Sequence, residues 1–135
     1  MESSFGAGFS IRAVTDADTE GIAAFFAAAH ADDPVVGAVA PEAWRRFALL
    51  PQNRGGRDFR FAVANGEIAG VATPSLHDDV APWVRHFRIV VAPAQRRRGI
   101  GSALLRELAP MDAPHPALLQ CLCPERWEAL AAFLE

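Results

Sequence analysis

Hydrophobic positions along the chain recur with two different periods, and the changes of period mark the elements. Phe9 to Val14 alternates loosely, which predicts a first strand. Thr15-Asp16-Ala17-Asp18 follows with oxygens suited to capping a helix. Ile22, Phe25, Phe26 and Ala29 repeat at helical spacing, so a helix is expected to about His30, stopped by Asp33-Pro34. Pro41-Glu42-Ala43-Trp44 opens a second helix with proline in its first turn, running to near Pro51. The stretch QNRGGRD reads as a loop. Phe59, Phe61 and Val63 alternate with Arg60, Ala62 and Ala64, as a strand does. Asn65-Gly66 is a strong hairpin signal, and Ile68, Gly70 and Val71 continue into the return strand. After a turn at His77-Asp78-Asp79, Trp83 to Val91 forms a longer strand that ends before Pro93.

From Gly99 to Ala109 the period is helical again, with Ile100, Ala103, Leu104 and Leu108 on one face. Pro110 to Pro116 is a proline-punctuated loop, and Ala117 to Cys123 a short apolar strand. Pro124 starts a last helix carrying Trp127, Leu130, Ala131 and Leu134 on one face. The order is β-α-α-β-β-β-α-β-α. Hairpin-linked strands followed by strand–helix–strand imply a mixed α+β fold, mostly antiparallel, with helices on both faces and a right-handed parallel crossover from Trp83 to Cys123. No internal repeat interrupts it.

Composition narrows the classes. The chain has 135 residues, which fits a single domain, with 51% hydrophobic and 21% charged positions, a globular balance. Net charge is −3, which argues against nucleic-acid binding even though Arg96-Arg97-Arg98 stand in a row. All 13 basic residues are arginine, and there is no tyrosine. No apolar run reaches the roughly 18 residues of a membrane span, and the first ten residues do not read as a signal peptide. Cys121 and Cys123 would point to opposite faces of a strand, so they read as core thiols rather than a disulfide or metal pair, and the expected compartment is the cytoplasm.

One segment carries chemistry. Between Val91 and Gly101 a strand ends, the chain turns and a helix begins. Gly99 and Gly101 lack Cβ atoms, so a ligand can approach the backbone closely. The unpaired N–H groups of the first helical turn suit a diphosphate, whose charge would also offset the repulsion among the arginines. The pattern is neither a GxxxxGK[ST] loop nor a GxGxxG fingerprint, since Leu104 stands where the last glycine would be.

Val91, Pro93, Arg96, Gly99, Ile100, Gly101, Leu104 and Leu105, read as VxPxxRxxGIGxxLL, resemble the acyl-CoA signature of the GCN5-related N-acetyltransferases. The element order from Phe9 onward is similar as well. The resemblance implies an acyl-CoA N-acyltransferase-like fold, acetyl-CoA as donor and a primary amine as acceptor. It implies that backbone amides of Arg96, Arg97, Arg98, Gly99, Ile100, Gly101 and Ser102 hold the diphosphate. The strand edge Ile89, Val90, Val91 would pair with the pantetheine arm in a gap opened toward Ala117–Cys123. The Val91 N–H would polarise the thioester carbonyl.

The catalytic groups are less marked. The place where many relatives carry a carboxylate holds Arg85, which cannot act as a base. His86, Asp78 and Asp79 are the candidate bases, each with a surface role as the alternative. The tyrosine that protonates the thiolate in relatives falls at Leu134. Trp83 is a candidate wall of the acceptor groove, and Arg45 and Arg46 lie on the helix that borders it in the family. The family continues with two more strands after its last helix, whereas this sequence stops at Glu135. The 135 residues are therefore expected to be one acetyltransferase-like domain from the N-terminal portion of a longer or tandem protein, or one whose edge is covered by a second domain or homodimer partner. The leading function is N-acetyltransfer to an unspecified amine. The alternative is a non-catalytic acyl-CoA-binding domain.

Overall fold

The structure, a computed structural model, describes residues 3–5, 8–33, 36–76, 84–108 and 118–120. The chain opens with β1 (Ser3–Phe5), which pairs antiparallel with β2 (Phe9–Ala13). The sequence pattern did not predict β1, because three residues are too few to show alternation. Next, a short 3-10 turn at Asp16–Asp18 leads into α1 (Thr19–Asp32). The expected capping residues close the 3-10 turn rather than α1, whose own N-cap Asp18 makes no side-chain cap bond: the Thr15 N–H and hydroxyl both donate to Asp18 Oδ2, at 2.8 and 3.0 Å. Arg12 reaches the same carboxylate at 3.4 Å while lying 4.3 Å from the Phe61 ring centroid. α2 (Pro41–Leu49) follows with proline in its first turn. The stretch expected as a loop after it is wound into a 3-10 helix, Pro51–Gly56. Asn53 anchors that turn: its Nδ2 donates to Phe47 O, and its Oδ1 accepts from Ser75 Oγ, both at 2.6 Å.

β3 (Arg60–Ala64) and β4 (Glu67–Ala72) form the expected hairpin. Asn65 and Gly66, at φ 55° and 77°, take the two left-handed positions of a type I′ turn. Ala62 faces Gly70 and Val63 faces Ile68, so Ala69 is an extra residue that bulges β4. β5 (Ser75–Leu76), β6 (Val84–His86) and β7 (Ile89–Val91) complete the antiparallel part, then α3 (Ile100–Leu108) and β8 (Leu118–Gln120) follow.

The strands make two sheets, ordered β1-β2-β3-β4-β7 and β5-β6-β8. They share one ribbon. Val91, Val90 and Ile89 face Gly70, Val71 and Ala72; His86 and Arg85 face Ser75 and Leu76, in the same register. Between them Thr73 and Arg88 exchange both backbone hydrogen bonds, at 2.9 and 3.2 Å. The long strand expected up to Val91 is thus one ladder with a break in regularity at Phe87-Arg88. Pro74 sits opposite that break. β3 has already ended there, since its first residue, Arg60, pairs with Ala72, so the N–H that proline lacks has no strand to bond. β6 and β8 are parallel, as the crossover predicts.

Each face of the larger sheet buries its own core. On one face α3 sets Ile100, Ala103, Leu104 and Leu108 against Phe9, Ile11, Ala62, Ala64, Ala69 and Ala72. On the other, α1 and α2 bring Ile22, Phe25, Phe26, Ala29 and Trp44 against Phe59, Phe61, Val71 and Val90. Gly70 sets the depth of the first packing: a Cβ there would lie 3.1 Å from Ile100 Cγ2, 3.2 Å from Leu104 Cδ1 and 3.3 Å from Val90 O. Among the described residues no helix is long and apolar enough to cross a membrane.

Candidate active site

The site is built from the end of β7 and the start of α3. In an antiparallel ladder, successive residues alternately bond the neighbouring strand and turn their N–H and C=O away from it. Arg88 bonds Thr73, and the Ala92 N–H donates to Ala69 O at 2.8 Å. Arg88, Val90 and Ala92 therefore face β4, while Ile89 and Val91 turn their main-chain groups outward. β7 is the last strand of its sheet, and among the described residues β8 pairs with β6 and not with β7. β8 is tied to the same ribbon at Val84–His86, and among the described residues the outward main-chain groups of Ile89 and Val91 meet no further strand.

The chain then turns through a 3-10 segment, Pro93–Gln95, stabilised by Gln95 N–H to Ala92 O at 2.9 Å; the Arg96 N–H points at Pro93 O at 3.4 Å. Arg97 adopts φ 66° and Gly99 φ 84°. The helical hydrogen bonding of α3 begins with Ala103 N–H to Gly99 O, at 3.0 Å. The amides of Ile100, Gly101 and Ser102 precede that bond and have no acceptor within the helix. No acidic residue occupies the first turn of α3 to neutralise them. A Cβ on Gly99 would meet nothing within 4 Å, so the main chain there faces open space. Ile100 points the other way: its side chain is buried in the α3 core and pins the helix start to the sheet.

The three adjacent arginines diverge. Arg96 reaches Asp32 Oδ2, at the end of α1, at 3.7 Å. The Arg98 guanidinium donates to Gln95 Oε1 and passes 3.3 Å from where a Cβ of Gly8 would stand. Arg97 is exposed. Two of the three cations thus reach toward α1 and toward the β1–β2 connection, and among the described residues nothing comes within 4 Å of a Cβ placed on Gly99.

A family model described as an acetyltransferase (GNAT) domain matches residues 55–133. The chain belongs to the GNAT family. Family membership makes it an N-acetyltransferase, and the antiparallel sheet carrying α3 on one face and α1 and α2 on the other is the GNAT fold. A GNAT acetyltransferase from Streptococcus pneumoniae is 20% identical with a TM-score of 0.76, over 93% of this chain and 81% of that one. A GCN5-related N-acetyltransferase from Sphaerobacter thermophilus is 22% identical with a TM-score of 0.75, over 97% of this chain and 43% of its own. The diaminobutyrate acetyltransferase of Paenibacillus lautus, solved with L-2,4-diaminobutyric acid and coenzyme A, is 18% identical with a TM-score of 0.72, over 96% and 74%. At these identities the likeness is one of fold. No sequence among the curated proteins matches.

Set on this GNAT framework, the residues named from the sequence fall into three groups. Ile89 and Val91 turn their main-chain groups to the outer edge of β7, whereas Val90 points its main chain into the ladder and its side chain into the α1–α2 core. Arg96 to Ser102 form the turn and helix start just described. His86 sits opposite Ser75, on the strand face that Arg88 and Val90 share. Asp78, Asp79, Trp83, Cys121, Cys123 and Leu134 lie outside the described residues, and Arg85 is described only in its backbone. No cluster of three or more metal-ligating side chains occurs among the described residues. Sequence reasoning missed the contributions of Gly8 and Gly70. Gly70 is a lone glycine whose reason is a partner far along the chain, so no local signal marks it; Gly8 has a local reason, φ 84° in the connection between β1 and β2, and a distant neighbour in Arg98.

Proposed function

We propose that this GNAT chain transfers the acetyl group of acetyl-CoA to a primary amine at the outer edge of β7. The observation that carries this reading is the outward turn of the Ile89 and Val91 main chain, immediately upstream of the uncapped amides at the start of α3. The pantetheine arm would add to β7 as an extra strand, bonding Ile89 and Val91. The diphosphate would take the N–H groups between Arg97 and Ser102, where the helix dipole favours an anion. The Val91 N–H would bond the thioester oxygen as negative charge develops on it. The amine nitrogen attacks the carbonyl carbon, the C–S bond breaks, the amine loses a proton and the coenzyme thiolate gains one. His86, on the strand just upstream, and Asp78 and Asp79, earlier in the sequence, are the proposed routes for the amine proton, directly or through water. With no tyrosine in the chain, water is the proposed donor to the thiolate.

The test is thermal. Acetyl-CoA should raise Tm, and Gly99→Asp should abolish the rise, because a carboxylate in the open concavity repels the diphosphate. The same substitution at φ 84° costs stability of its own, on the order of 1 kcal/mol, so Gly99→Ala is the control: it bears the strain without the charge. A rise that survives Gly99→Asp would move the diphosphate elsewhere. Thiol release with a panel of amines measures turnover.

A further inference from the structure

Arg88 is an exposed cation whose stem is partly covered. It lies on the ribbon between β6 and β7, with its backbone fixed by both bonds to Thr73. Alternation sends its side chain to the α1–α2 face, as Val90 confirms by its burial there, and the guanidinium carbon stands 5.7 Å from the centroid of Phe26 on α1. Arg12, Arg96 and Arg98 each have an oxygen partner. Arg88 has neither a carboxylate nor a hydrogen-bond acceptor for its side chain among the described residues. Burial of part of its length lowers its pKa from the ordinary arginine value, though it stays charged at neutral pH.

A second unpaired group adjoins it. Thr73 is the cross-strand neighbour of Arg88, so the two side chains share a face. Thr73 is only 6% exposed, and its hydroxyl has no hydrogen-bond partner among the described residues. Buried hydroxyls are normally satisfied, and the next one on this face, Ser75, is bonded to Asn53. An unpartnered cation beside an unpartnered buried hydroxyl is the donor set that a carboxylate requires: two N–H groups in a fork and one O–H. Arg88 is three residues from Val91, roughly 10 Å of extended chain. The arginine stem and a short amino acid together cover such a distance.

We infer that the amine acceptor bears a carboxylate, and that Arg88 with Thr73 binds it and orients the amine toward the acetyl group. The inference rests on the acetyltransfer reading above and narrows its acceptor to amino-acid-like amines.

The experiment compares acceptors in pairs, L-amino acids against their carboxamides, in an acetyl-CoA-dependent thiol-release assay with wild type, Arg88→Gln, Arg88→Lys and Thr73→Val. Wild type is expected to favour the carboxylate member by about tenfold or more in kcat/KM. Arg88→Gln should erase most of that ratio through KM, Arg88→Lys should keep part of it, and Thr73→Val should reduce it several-fold. All three should retain the rise in Tm with acetyl-CoA, which shows that they are folded and bind donor. If no acceptor turns over, the same pairs are compared by thermal shift with coenzyme A present. Equal response to acid and amide, or a preference that Arg88→Gln leaves intact, overturns the inference. Loss of the acetyl-CoA shift in wild type overturns the underlying reading instead.

Discussion

Asn53 shows how much one polar side chain can hold in this molecule. It is 1% exposed, takes a hydrogen bond from Ser75 on β5, and donates to the last turn of α2. Asn53→Ala would leave the Ser75 hydroxyl without its partner and take from the Phe47 carbonyl one of two donors, the Leu50 N–H remaining, and losing a partly buried hydrogen-bond partner costs about 1–3 kcal/mol. Urea unfolding should show a midpoint lowered accordingly, with an unchanged slope. Nothing in the sequence announces this: asparagine between Pro51 and Gly55 is ordinary loop composition. Gly99 is the opposite case. Its place between strand and helix marks it in the sequence, and the structure supplies the cause, a left-handed backbone beside open space.

At the scale of elements, the seating of α3 on β4 governs both stability and the donor site. The helical period identified its buried face, Ile100, Ala103, Leu104 and Leu108, without error. What it could not identify was the complementary surface, because the bulge at Ala69 and the bare Gly70 are set by pairing with β3 and by the helix lying across them. Gly70→Val is expected to destabilise by about 1–3 kcal/mol or more, since the Val90 carbonyl is main chain and cannot yield. Because the helix start carries the proposed diphosphate amides, the same variant should raise KM for acetyl-CoA, measured well below its Tm. β1 escaped the sequence for a related reason: three residues become a strand only because β2 offers an edge to them.

For the whole molecule, the ribbon shared by the two sheets is what turns the Ile89 and Val91 amides away from β4, with no special residue at either position. The order of elements foretold the fold class and the parallel pairing of β6 with β8; which amides are left over follows only from the phase of the ladder, fixed by the Thr73–Arg88 bonds. That phase can be read in solution. Hydrogen exchange without ligand should be fast at the Ile89 and Val91 amides and slow at Val90 between them, and acetyl-CoA should slow the first two. Uniform protection across the three would mean that another strand already fills the gap. The bracing of Arg98 against Gly8 has a practical side as well. It ties a connection beside the first strand to the turn proposed to receive the donor's phosphates, across ninety positions of chain. A side chain added at Gly8 would therefore meet the Arg98 guanidinium and disturb that turn from the far side of the sheet.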